Sequence, residues 1–91
     1  MSYTLVFPQS YRKRAQKFFK KHPQVRKQYD KVIQILELNP YHPSLRLHGL
    51  SGRLKGLSAV SINMSYRIVI KLIIKDDEII FVDIGDHDKV Y

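Results

Sequence analysis

The apolar residues of this chain change their period once, and that change limits the folds open to it. Tyr11, Ala15, Phe18 and Phe19 recur at helical spacing, as do Val25, Tyr29, Val32, Ile33 and Leu36. Tyr66, Ile68, Ile70, Leu72 and Ile74 then alternate with Arg67, Val69, Lys71, Ile73 and Lys75, which is the period of a strand. Two amphipathic helices must therefore precede a sheet that buries one face.

Local signals place the boundaries. Tyr3 to Phe7 is a β-branched and aromatic run ending at Pro8, which predicts an opening strand at an edge. Ser10 is the expected cap of the first helix, and His22-Pro23 breaks it. The second helix should end near Asn39-Pro40, because proline disfavours helix in the residue before it. Tyr41 to Arg53, with Pro43, Gly49 and Gly52, reads as a loop, the kind of segment that carries function on a rigid scaffold. A strand is expected over 54–62, a tight connection at Asn63-Met64-Ser65, the alternating strand after it, a turn at Asp76-Asp77, and a last strand from Glu78 to Ile84 ended by Gly85. The predicted order is β-α-α-β-β-β. This is an α+β fold with two helices on one face of a mainly antiparallel sheet, and Arg67, Lys71 and Lys75 on the other. With 91 residues, a single domain spanning 1–91 is expected.

Charge narrows the function classes. Sixteen Lys and Arg against eight Asp and Glu give a net charge of +8. No acid precedes Asp30, whereas Arg12, Lys13, Arg14, Lys17, Lys20, Lys21, Arg26 and Lys27 do; six of the eight acids follow Lys75. Such segregation favours polyanionic partners. Cysteine is absent, which excludes disulfides and thiolate chemistry. The N-terminal segment has no long apolar run, so no signal peptide, no membrane partner and a cytoplasmic location are expected.

No Gly-rich phosphate loop, His-Glu-x-x-His pair or nucleophile elbow is present. Asp86-His87-Asp88 is a poor metal motif, since adjacent side chains on extended backbone point apart and no second histidine stands at ligand spacing. What remains is a set of imidazoles and cations suited to a phosphodiester: His48, Arg53, Lys55, Arg67 and His87, with Tyr91. Metal-free RNA cleavage needs a base for the 2′-OH, an acid for the leaving 5′-oxygen, and fixed positive charge for the crowded transition state. Histidine suits the first two roles, arginine the third. The same residues also admit plainer roles: His48 as a polar loop residue, His87 as a strand cap, Arg67 and Lys71 as solvated charges, and Tyr91 as a frayed terminus.

The stretch from Leu47 through His48-Gly49-Leu50-Ser51-Gly52-Arg53-Leu54-Lys55-Gly56, then Tyr66-Arg67-Ile68-Val69-Ile70, then Ile84-Gly85-Asp86-His87-Asp88-Lys89-Val90-Tyr91, resembles the RelE/ParE toxin superfamily. The pattern is most similar to its YafQ- and YoeB-like messenger-RNA interferases. The resemblance implies the toxin of a type II toxin–antitoxin pair, cutting messenger RNA in the ribosomal A site without a cofactor. It implies a cognate antitoxin, ribosomal RNA and messenger RNA as partners, and a monomeric free toxin. Carried over by motif, His48 matches the loop histidine, Arg67 the strand arginine on the scissile phosphate, His87 the general acid, and Tyr91 the aromatic residue that holds the nucleotide. Lys55 matches the Lys of the Lys-Gly pair; Arg53 and Lys71 are expected RNA contacts. The chain departs from the YafQ pattern at Ser61 (histidine there), Ser65 (aspartate) and Tyr66 (commonly tryptophan). Two other readings follow from the same resemblance: a ParE-like gyrase inhibitor, or a degenerate, non-catalytic RNA- or antitoxin-binding member.

Overall fold

The computed structural model describes residues 2–86. Strand β1 (Thr4–Val6) is followed by helices α1 (Gln9–Lys21) and α2 (Arg26–Leu38), then strands β2 (His48–Gly49), β3 (Ser58–Ser61), β4 (Tyr66–Ile73) and β5 (Glu78–Asp86). The sheet order is β1-β5-β4-β3-β2. Among the described strands only the β1–β5 pairing is parallel, with Thr4 opposite Glu78 and Val6 opposite Ile80. Sequence and structure therefore agree on a mainly antiparallel α+β sheet with β1 at an edge.

The two apolar stripes meet one face of the sheet. Tyr11, Val25, Tyr29, Val32 and Leu36 form a continuous core with Val60, Ile68, Ile70, Ile79, Phe81 and Ile84. Phe81 sits between Phe7 (ring centroids 4.5 Å apart) and Tyr11 (5.2 Å). Between Tyr11 and Tyr29 the two buried hydroxyls share a hydrogen bond of 2.8 Å, so neither polar tip is stranded. Ala59 and Val69, opposite each other in register, are buried outside this core, on the other side of the sheet.

Several boundaries differ from the sequence reading. Helix α1 starts at Gln9, with Pro8 in the cap position and no side-chain cap bond; Ser10 lies inside the helix. Pro8 is already extended, and its carbonyl accepts from Arg12 N at 3.0 Å, so the ladder begins two residues before a Ser10 cap allows. The strand expected over 54–62 is confined to Ser58–Ser61, because Gly52–Leu54 makes a single 3-10 turn and Gly56 has a φ of +93°. Strand β4 stops at Ile73: Ile74–Asp76 forms a turn closed by Asp77 in the left-handed region. Ile74 is thus 63% exposed and not in the core, and Lys75 leaves the sheet face that carries Arg67 and Lys71. Gly85 does not end β5, which continues to Asp86, opposite Tyr66. Between the Val69–Asp83 and Ile70–Phe81 pairs β5 carries one extra residue, a bulge that returns Ile84 to the core face.

Candidate active site

Arg67 is placed by alternation. Ile68 and Ile70 are fully buried against the helices, so Arg67 and Lys71 project from the opposite face of β4. Its cross-strand partners are Ser61 on β3 and Gly85 on β5.

His48 is placed by a segment read from sequence as loop. Pro43–Leu45 forms a single turn, capped by His42, whose Nδ1 accepts from Ser44 N at 3.2 Å. Leu45 is driven fully into the core. Arg46 then takes a left-handed conformation (φ +50°), which ends that turn. Leu47 packs half-buried against the core, and β2 pairs with β3, setting His48 opposite Ala59. The predicted loop thus holds a fifth strand, which sequence reasoning did not find: two residues are too short to show a period.

These two elements bring the predicted pair together. Arg67 Nη1 lies 3.4 Å from His48 Nε2, long for a hydrogen bond but direct contact. His48 Nδ1 lies 3.1 Å from the carbonyl oxygen of Arg46. A carbonyl only accepts, so in the neutral ring Nδ1 carries the proton and Nε2 presents its lone pair. The lone pair faces the guanidinium. Both side chains line a cavity of about 320 Å³ together with Arg46, Ser61, Asn63 and Met64. Among the described residues its charged lining is the two guanidinium groups of Arg46 and Arg67, which favours an anion.

The β3–β4 turn forms one wall. Asn63 Oδ1 accepts from Ser65 N (2.8 Å) and Tyr66 N (3.0 Å), and its Nδ2 donates to Gln28 Oε1 on α2 (2.8 Å). Ser61 Oγ donates to the Asn63 carbonyl at 2.7 Å. Met64, at the tip, is 90% exposed.

The other sequence candidates separate into three groups. Arg53, exposed, lines a second cavity of about 360 Å³ with His48, Gly49, Leu50, Ser51 and Leu54, so His48 stands between the two cavities. Lys55, exposed just after the Gly52–Leu54 turn, lines neither. Lys71 shares the sheet face of Arg67 but lies four residues along β4, about 13 Å away at strand rise, and is not part of the cluster. His87 and Tyr91 lie outside the described residues; the described chain ends at Asp86, beside Tyr66.

Two features were missed from sequence. Arg46 lines the cavity and orients His48, yet nothing local distinguishes it from other loop cations; the flanking Leu45 and Leu47 were the available hint that this loop is anchored. His22, read as a plain helix-end residue, is half-buried, with its ring 4.8 Å from both Phe18 and Tyr66 and its Nδ1 3.2 Å from Tyr66 Oη.

No protein-family model and no curated protein sequence matches the chain. Solved structures do. YafQ from E. coli strain BL21(DE3) superposes with a TM-score of 0.79 at 16% identity, covering 98% of both chains. A copper-bound mutant toxin from Helicobacter pylori superposes with a TM-score of 0.72 at 26% identity over 100% of both chains. The fold is that of the RelE-like toxins. The same fold occurs in the E. coli DinJ–YafQ toxin–antitoxin complex, matched with a TM-score of 0.77 at 18% identity over 100% of this chain and 99% of that one. Within this RelE-like fold, the His48–Arg67 contact lies on the sheet face away from the helices.

Proposed function

We propose that this protein is the toxin of a type II toxin–antitoxin pair and a metal-free endoribonuclease that cuts messenger RNA in the ribosomal A site. The observation that carries the reading is the 3.4 Å contact between His48 Nε2 and Arg67 Nη1 in a cavity that Arg46 also lines. A phosphodiester held by the Arg67 guanidinium lies next to His48 Nε2, the nitrogen of that ring left to accept a proton when Nδ1–H donates to the Arg46 carbonyl. His48 takes the proton of the 2′-OH as that oxygen bonds to phosphorus. Arg67 bonds the non-bridging oxygens, where negative charge grows most in the transition state. The P–O5′ bond then breaks, and the leaving oxygen takes a proton from an acid, the role that the family resemblance gives to His87. Tyr91 is assigned by the same resemblance to holding the nucleotide. The chain's +8 charge supports ribosomal RNA, messenger RNA and an acidic antitoxin as partners.

Primer extension on a reporter messenger RNA tests the reading after induction of wild type, His48→Ala, Arg67→Ala and His87→Ala. New cleavage ends are expected with the wild type, with a loss of about a hundredfold or more in each variant, as for removal of an acid, base or charge stabiliser. Growth arrest without new ends, or undiminished cleavage by the folded variants, overturns it.

A further inference from the structure

We infer that Arg46 is a second phosphate-binding guanidinium of this site, so that the RNA backbone is gripped from both walls of the cavity. The inference rests on the nuclease reading above. Arg46 stands two residues before His48 at a φ of +50°, a region that glycine or asparagine enters readily and arginine rarely. It is held there from both sides: Leu45 is fully buried, and His48 is paired with Ala59. The conformation does two things. It turns the Arg46 carbonyl onto His48 Nδ1 at 3.1 Å, and it leaves the Arg46 side chain on the cavity that Arg67 enters from β4. Glycine would supply the carbonyl with less strain. The side chain is what arginine adds, and its chemistry is a planar fork matched to two phosphate oxygens. Ser61 and Asn63 line the same cavity but are engaged with each other, with backbone amides and with Gln28, so they build the wall and leave anion binding to the guanidinium groups.

The carbonyl and the guanidinium are separable by mutation. Arg46→Gly keeps the left-handed backbone and the carbonyl while deleting the charge; Arg46→Asn, also tolerant of this region, serves if the glycine variant loosens the loop. Arg46→Lys keeps charge without the fork. Single-turnover cleavage is measured on ribosomes programmed with messenger RNA, alongside the His48 ring-nitrogen NMR shifts of the free protein. We expect Arg46→Gly to retain the Nδ1–H tautomer of His48 and to lose roughly tenfold or more in kcat/KM, as for one charged hydrogen-bonding contact, with Arg46→Lys between it and wild type. Wild-type cleavage matched by Arg46→Gly overturns the inference alone. A loss accompanied by a changed His48 tautomer in both the glycine and asparagine variants also overturns it, assigning Arg46 to positioning only. A folded wild type that cuts no message overturns the nuclease reading, and the inference falls with it.

Discussion

At the scale of single residues, the buried tyrosine pair reports on the core and the His48–Arg67 pair on the proposed chemistry. Burial is the main cause pushing the Tyr11 hydroxyl pKa far above its ordinary value, reinforced by its neighbour Tyr29, which burial also raises. A folded-state pKa raised above the unfolded value of about 10 means that the fold holds the neutral, protonated form. Stability from this pair is therefore complete below about pH 10 and falls as pH rises beyond it. Tyr11→Phe should lose about 1 kcal/mol at neutral pH, for one net hydrogen bond, and show a shallower decline above about pH 10. Urea unfolding of both proteins across that range measures both effects. Residue types announced His48 and Arg67 as candidates, but an arginine does not announce a left-handed backbone, so Arg46 stayed one cation among many until the chain was folded.

The element that decides the site is the segment from Pro43 to Gly49. It has no period of its own and is held by one core side chain, one left-handed residue and a two-residue strand. Leu45→Ala should cost roughly 2–5 kcal/mol as a fully buried leucine truncation. Because Leu45 also anchors His48, the fraction still folded should, on the proposed nuclease reading, cut RNA more slowly than wild type. Chemical denaturation followed by cleavage assays under folding conditions separates the two; unchanged activity per folded molecule means that β2 holds His48 without this anchor. The helices and β4 were legible because their apolar periods are long enough to count. The β5 bulge and the end of β4 at Ile73 were not, because a one-residue shift in register leaves no mark on composition.

On the scale of the whole molecule, charge is arranged across the fold as unevenly as along the chain. Arg12, Lys13, Lys17 and Lys20 are exposed along α1, while Arg46, Arg67 and Lys71 belong to the cavity and the far sheet face. Two basic surfaces on opposite sides of a small domain suit a polyanion that surrounds it, as a ribosomal site does. The proposed binding to ribosomes should weaken steeply with salt, by about a thousandfold between 50 and 200 mM if six phosphates or more are neutralised. Reversing Lys17 and Lys20 to Glu, away from the cavity, should flatten that dependence. Co-sedimentation across a salt series checks both expectations, and a flat wild-type curve refutes them.

The sequence by itself determined the elements whose physics is local. Two apolar stripes at helical spacing, the alternation that begins at Tyr66, the proline breaks and the uneven charge all follow from neighbours within a few positions, and so did the α+β order. The tertiary structure alone decided what depends on contacts distant in sequence. Pairing with Ala59 made His48 part of a strand, burial of Leu45 held Arg46 left-handed, and the register of β3 against β4 set Ser61 across from Arg67. Hydrogen bonds and burial between remote segments supply the energy that overrides local preference there, and in this protein they do so around the cavity where His48 and Arg67 meet.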